Sequence, residues 1–291
     1  MTAVVELRQV TKSYRGHLAL SGVDLTLRAG EVVGFIGPNG AGKSTCMRLL
    51  IGMTFRDGGD ARVLGMDPGA DGARVRRRCC YLPGETSLYQ HLTGEELLRF
   101  ALTSYDRHDE RLKEEMLAEF GLPMRAKVRQ YSAGMKQKLA LLATLVPDVD
   151  LYLLDEPERN LDPSTQLFLR SVVERLGRAG KTVLFSSHRL GEVEALAGRL
   201  IFLLNGELVD EERVRAAREA LRREVRLRLT PDTALPAGAT RVATEPDGAI
   251  RVRTDDDPML WIAKLDPSQV RSIEIGTTNL EPLYRRLSEE P

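Results

Sequence analysis

Cysteine and tryptophan are scarce in this chain of 291 residues, which has only Cys46, Cys79, Cys80 and a single tryptophan, Trp261. Three thiols cannot pair off into a disulfide framework, and their spacing matches no metal-ligand pattern. The first ten residues mix charges into a strand-like pattern where an apolar leader would stand, so the thiols are expected to be reduced in a cytoplasmic protein. An excess of one charge sign is missing as well: 42 Lys and Arg balance 42 Asp and Glu. That removes the broad basic field that nucleic acid or an anionic membrane surface would need, and no nucleic acid partner is expected. Long hydrophobic runs are also lacking. The longest, near Leu139–Val146, is far short of the ~20 residues that span a bilayer, so any transport path would have to belong to another chain. What remains, 42% hydrophobic and 29% charged residues, is ordinary globular composition.

Apolar residues alternate or cluster in short stretches from Val4 to Leu27, broken at Arg15-Gly16-His17, which predicts an antiparallel pair of strands. Val32–Ile36 reads as a buried strand, followed by a glycine-rich turn and a helix over Ser44–Ile51. Leu, Glu, Arg and Met at helical spacing predict two helices between Glu95 and Phe120. Strand-like runs at Leu151–Leu154, Thr182–Phe185 and Leu200–Leu204 alternate with helical patterns at Met135–Leu145, Ser164–Leu176 and Leu190–Ala197. That alternation is the pattern of a parallel sheet with covering helices. After Asn205-Gly206 the texture changes to an Arg/Glu-rich helix from Glu211 to about Arg222 and then short strands near Val225–Leu229, Arg241–Thr244 and Ile250–Arg253. A helix near Met259–Lys264, a strand at Val270–Ile275 and a last helix near Leu280–Leu287 complete a small α+β unit. Carboxylates interleave with the arginines from Arg213 to Arg228, which reads as a solvated helix face, and Trp261 reads as core.

Gly37-Pro38-Asn39-Gly40-Ala41-Gly42-Lys43-Ser44, followed by Thr45, fits G-x-x-x-x-G-K-[ST] between a predicted strand and a predicted helix. Glycines let such a loop wrap a polyphosphate with backbone N–H groups, and the helix N-terminus adds positive potential. Lys43 reaches the β- and γ-phosphates, and Ser44 can ligate Mg²⁺. The apolar run Leu151-Tyr152-Leu153-Leu154 ends in Asp155-Glu156. A buried strand ending in two carboxylates can place Asp155 near Mg²⁺ and let Glu156 polarise the attacking water. A polyphosphate and Mg²⁺ are therefore expected at this site.

A third element, Tyr131-Ser132-Ala133-Gly134-Met135, opens a helix ahead of Asp155, and with it the chain resembles the ATP-binding cassette (ABC) ATPases. Ser132 and Gly134 stand where that family's Leu-Ser-Gly-Gly-Gln segment has its serine and second glycine, whereas Tyr131, Ala133 and Met135 depart from it. The resemblance implies that the nucleotide is ATP and that Ser132, Ala133 and Gly134 meet ATP held by a second cassette, so that a head-to-tail dimer, homomeric or heteromeric, is the active unit. It further implies a γ-phosphate contact for His188, an adenine-stacking role for Tyr14 and a dimer-contact loop at Asn160-Leu161-Asp162, although Asp162 before Pro163 is also a plain helix cap. Glu158-Arg159 replaces the more usual Thr-containing stretch. Gly84 stands where the family usually has a glutamine that approaches Mg²⁺ beside the membrane-subunit contact; water or Glu85 is expected to fill that place.

The implied fold is an α/β P-loop NTPase cassette over residues 1–210. It has a mixed or parallel sheet, an antiparallel β subdomain and a helical insert at about 92–147, and it is followed by a C-terminal accessory or regulatory α+β domain over 211–291. The segments Tyr131–Leu139 and Thr278–Tyr284 resemble the exporters of drugs, lipids or polysaccharides. The implied function is an ATPase subunit on the cytoplasmic face of a membrane, powering export through a separate polytopic permease. Its alternatives are a soluble ABC ATPase acting without a membrane partner, and a nucleotide sensor that hardly hydrolyses. Lys43 and Ser132 are too close in sequence for the long coiled coil of DNA-repair relatives, and ribosome-acting relatives usually carry two cassettes in one chain.

Overall fold

Strands β1 (Ala3–Tyr14) and β2 (His17–Arg28) form an antiparallel hairpin closed by a tight turn at Arg15-Gly16, with Tyr14 paired to His17. The residues that alternate in sequence alternate in burial: Val5, Leu7, Val10, Leu20, Val23, Leu25 and Leu27 turn inward together. The computed structural model of this chain describes residues 2–187, 193, 196–230, 233–275 and 280–289. His188 and most of the helix expected over Leu190–Ala197 lie outside the described residues, as do Thr278 and Asn279.

The chain divides into two compact units, Met1–Leu208 and Val209–Pro291. In the first, a six-stranded sheet has the order β5 (Cys79–Leu82), β6 (Leu151–Asp155), β7 (Thr182–Ser186), β3 (Val32–Ile36), β8 (Arg199–Leu204), β9 (Glu207–Leu208). All neighbours are parallel except β8 and β9, which the turn Asn205-Gly206 joins. Strands β6 and β7 are buried along their whole length, as continuous apolar runs in a covered parallel sheet must be. A second sheet, order β2-β1-β4, adds β4 (Gly58–Val63) antiparallel to β1. The fold is thus α/β with a mixed sheet and a separate antiparallel one.

Helix α1 (Lys43–Leu50) follows β3 directly, and the short α2 (Gly72–Arg76) precedes β5. The middle of the chain is helical: α3 (Gly94–Leu102), α4 (Glu110–Phe120) and α5 (Ala133–Leu145). Each starts where its sequence says it should. Thr93 and Glu96 form a capping box on α3, Asp109 caps α4 and Ser132 caps α5. Helix α6 (Pro163–Arg178) begins behind Asp162 with Pro163 in its first turn. Among the described residues, no helix is long and apolar enough to cross a membrane.

The second unit is a four-stranded antiparallel sheet with helices, its strands in the order β11 (Ala239–Thr244), β12 (Ile250–Thr254), β10 (Glu224–Leu229), β13 (Val270–Ile275). Its core gathers Val225, Leu227, Val252 and Leu265 around Trp261, whose indole N–H donates to the Pro236 carbonyl at 3.3 Å. The Arg/Glu-rich stretch from Arg213 to Arg228 is not one helix. The helix α7 (Glu211–Arg222) stops, and Glu224 starts β10. There Arg226 bonds Glu245, Asp247 and Glu274, partners on other strands and turns that a helix face would not offer.

Candidate functional site

Strand β3 ends at Ile36 and the chain loops through Gly37–Gly42 into α1. Gly42 has φ 106°, and a Cβ there would lie 2.2 Å from the Ala19 carbonyl oxygen, so only glycine allows the loop to turn into the helix. Pro38, Asn39 and Gly40 are exposed at the loop's crest, Gly37 and Ala41 are buried, and Ser44 and Thr45 are half-buried in the first turn of α1. The Lys43 ammonium donates to the carbonyls of Gly37 at 2.7 Å and Pro38 at 3.0 Å. Burial lowers its pKa from the ordinary lysine value, opposed in part by the negative charges of Asp155 and Glu156.

Asp155, buried at the C-terminal end of β6, is held from both sides. Ser44 Oγ donates to one carboxylate oxygen at 2.5 Å and Ser186 Oγ to the other at 2.6 Å. Ser186 Oγ in turn accepts the Glu156 N–H at 3.0 Å. The parallel register pairs Asp155 with Ser186, so adjacent strand ends deliver this triangle. Glu156 follows with φ 49°, a left-handed conformation that a glutamate adopts only where its surroundings impose it. Sequence reasoning assigned Ser186 no role; the one signal was its place at the end of a predicted strand, since strand order decides what it faces.

A hydroxyl and a carboxylate in contact beside a phosphate-binding loop are a hard-oxygen pair suited to Mg²⁺, which takes few protein ligands and completes its shell with phosphate oxygens and water. Among the described residues no three His, Cys, Asp or Glu side chains converge on a metal position. The donor set therefore fits a nucleotide-borne Mg²⁺.

Ser132, Ala133, Gly134 and Asp162 form a second group, around the start of α5 and the loop before α6. Ser132 Oγ accepts the Met135 N–H at 3.2 Å, and a Cβ at Gly134 would lie 2.8 Å from the Asn160 carbonyl oxygen. Asp162 accepts from Ser164 Oγ at 2.6 Å and from the Thr165 N–H at 3.0 Å, and pairs with Lys138 at 3.1 Å. The Ser164 bond first, and then those from Thr165 and Lys138, hold its carboxyl far below the usual range. Tyr14 belongs to neither group. It is 45% exposed at the end of β1, its hydroxyl bonded to Thr54 Oγ1 at 3.0 Å and the Lys12 ammonium 5.2 Å from its ring centre. Gly84 lies beside Asp155.

Known proteins resemble this chain in sequence and fold. A family model described as ABC transporter matches residues 20–159. The chain is 34% identical, over its whole length and 94% of the relative, to the daunorubicin/doxorubicin resistance ATP-binding protein DrrA of Streptomyces peucetius. It is also 34% identical to the Nod factor export ATP-binding protein I of Rhizobium sp. (strain N33), over 71% of this chain and 70% of that protein. Among solved structures it resembles the ATP-binding cassette MJ0796 in a dimeric post-hydrolysis state bound to ADP and Pi. The TM-score is 0.63 at 25% identity, covering 71% of this chain and 97% of that one.

Proposed function

The chain belongs to the ABC transporter family as an ATP-binding, ATP-hydrolysing subunit, and from that premise we propose that two such cassettes close head to tail on ATP and drive export through a separate polytopic membrane chain. The observation that carries this reading is the Asp155 carboxylate fixed between Ser44 and Ser186 immediately before Glu156. The names of the relatives, one a drug-resistance protein and one an export protein, support the outward direction.

In this reading the backbone N–H groups of Gly37–Ser44 and the start of α1 surround the phosphates, and the Lys43 ammonium leaves its two loop carbonyls for phosphate oxygens. That exchange replaces two neutral acceptors with anionic ones, which a partly desolvated ammonium favours. Ser44 and Asp155 would hold Mg²⁺, which when bound neutralises charge across the β- and γ-phosphate oxygens. Glu156 orients the attacking water and takes its proton as the oxygen bonds to the γ-phosphorus and ADP leaves. His188 contacts the γ-phosphate, Tyr14 stacks on adenine, and Ser132–Gly134 close over nucleotide held by the opposite cassette, beside the loop ending at Asp162. Closure is driven by ATP binding the closed dimer better than the open one.

Isolation of the tagged protein from membranes in mild detergent, with Glu156→Gln as the ATP-trapped comparison, tests this. A polytopic membrane chain in stoichiometric amount, with Glu156→Gln accumulating as an ATP-bound dimer, is the expected result. Recovery only from the soluble fraction, alone or with ribosomal proteins, would replace transport by the soluble reading. Glu156→Gln turning over ATP at the wild-type rate would remove Glu156 from the mechanism.

A further inference from the structure

Nothing in the backbone requires a glycine at position 84. Its φ lies outside the left-handed region, and a Cβ placed there meets Asp155 Cγ and Oδ2 at 3.4 Å, ordinary contact distance. What reaches this residue instead comes from the loop that follows Asp155-Glu156: Arg159 donates its Nη1 to the Gly84 carbonyl at 3.0 Å. The same two loops are joined a second time. Thr86 Oγ1 donates to the Gln137 carbonyl oxygen at 2.8 Å, and the Gln137 amide donates to the Pro157 carbonyl at 3.0 Å. Gln137 lies on α5 and is 3% exposed.

The segment behind Glu156 is thus a junction whose successive residues each reach a different neighbour. Pro157 accepts from Gln137, Glu158 accepts from Ser187 Oγ, Arg159 reaches Gly84, and the Asn160 carbonyl sits against Gly134. Of these four contacts only the one from Arg159 is made by an exposed side chain, so it can be removed without opening the core. It is also a charge-assisted bond, stronger than one between neutral groups.

We infer that Arg159 is a positioning residue for hydrolysis: by holding the Gly84 carbonyl it keeps the loop after β5 seated against the Asp155-Glu156 end of β6, so that the two loops move as one. The inference rests on the ATPase reading of that site. Arg159 touches neither nucleotide nor water in this role; it acts through the backbone of residues 84–86 and through the junction that carries Glu156.

The test uses the full chain and two readouts, steady-state ATP turnover and amide hydrogen exchange of residues 85–92. Arg159→Ala lowers kcat roughly tenfold, the equivalent of one lost charge-assisted hydrogen bond, and leaves KM for ATP within about twofold because the P-loop contacts are untouched. Exchange over 85–92 accelerates in the same variant, and Arg159→Lys, which keeps a cationic donor, recovers most of both effects. Arg159→Ala with unchanged kcat, with KM rising in proportion to any loss of rate, or with unchanged exchange overturns the inference; so does Arg159→Lys behaving like Arg159→Ala. Should Arg159→Ala fail to fold, Arg159→Lys carries the decision: a folded Lys variant with slowed turnover and accelerated exchange overturns it, and near wild-type values in both support it. A wild-type protein without Glu156-dependent turnover would overturn the ATPase reading, and with it this role.

Discussion

Ser44 and Asp155 stand 111 residues apart in sequence, yet the serine hydroxyl donates directly to the aspartate carboxylate. The contact joins the first turn of α1 to the end of β6, so the proposed phosphate-binding loop and the strand that runs into Glu156 share one oxygen pair. Replacing Asp155 by Asn keeps the shape and removes the charge. The expected outcome is a fall in turnover of about 10² to 10³, the scale of losing one preorganised electrostatic group, with Mg²⁺ no longer strengthening ATP binding. Titration calorimetry with and without Mg²⁺, alongside the turnover assay, checks both parts; an Asn variant whose ATP affinity still responds fully to Mg²⁺ would overturn the proposal that Asp155 holds the metal.

Cys46, Cys79 and Cys80 are all buried, and burial pushes the Cys46 and Cys80 thiols up to about 12 and raises Cys79 as well. A thiol that holds its proton is a poor nucleophile. At pH 8 a thiol reagent is expected to leave the folded protein unlabelled over the time in which it labels all three cysteines in urea. Rapid labelling of one thiol in the native protein would show that its strand or helix opens locally.

Asp57 accepts from the Lys12 ammonium at 2.7 Å, the Ser13 N–H at 2.7 Å and Ser13 Oγ at 2.9 Å, and these bonds, that of Lys12 foremost, lower its carboxyl from the ordinary 3.8 to about 2. A carboxyl whose pKa is depressed on folding stabilises the folded state above its unfolded pKa and ceases to do so as pH falls through the folded value. The difference in urea midpoint between wild type and Asp57→Asn is therefore expected to be constant above about pH 5 and to shrink as pH falls from about 4 toward 2. A difference that grows on acidification would contradict this assignment.

The P-loop was legible because its demands are local: eight consecutive residues carry the turn, the helix start and the charge. Buried runs such as Leu151–Asp155 and the Asp162 cap were legible for the same reason, since each acts within a few residues of itself. Strands β4 and β5 were not. Gly58–Val63 turns only Ala61 and Val63 fully inward, and Cys79–Leu82 is four residues long; each is defined by pairing, with β1 and β6 respectively. The same limit hid Ser186 and the Arg159–Gly84 bond, since both depend on which strand ends become neighbours. The helix and the strand near Val225–Leu229 were legible, but reading the charges from Arg213 to Arg228 as one solvated helix face was not right, because helical charge spacing and a charged sheet face look alike in sequence. Only the carboxylates at Glu245, Asp247 and Glu274 distinguish them.

Gly134 sits in the first turn of α5 with the Asn160 carbonyl where its Cβ would be, 2.8 Å away. A backbone oxygen cannot swing aside as a side chain can, and Asn160 is already held at φ 60°. Gly134→Ala must therefore push the start of α5 from the loop that carries Pro157, Glu158 and Arg159. The expected cost is on the order of 1–3 kcal/mol, the usual penalty for overpacking. Ser132→Ala, which removes the helix cap without adding an atom near Asn160, is expected to cost about 1 kcal/mol. The two variants separate packing from capping. If the Asn160 loop is displaced, amide hydrogen exchange over residues 156–160 accelerates more in Gly134→Ala than in Ser132→Ala at matched stability, measured on the nucleotide-free protein. Equal exchange in the two variants would show that the junction behind Glu156 tolerates movement of α5, and that the contact at Gly134 serves the fold alone.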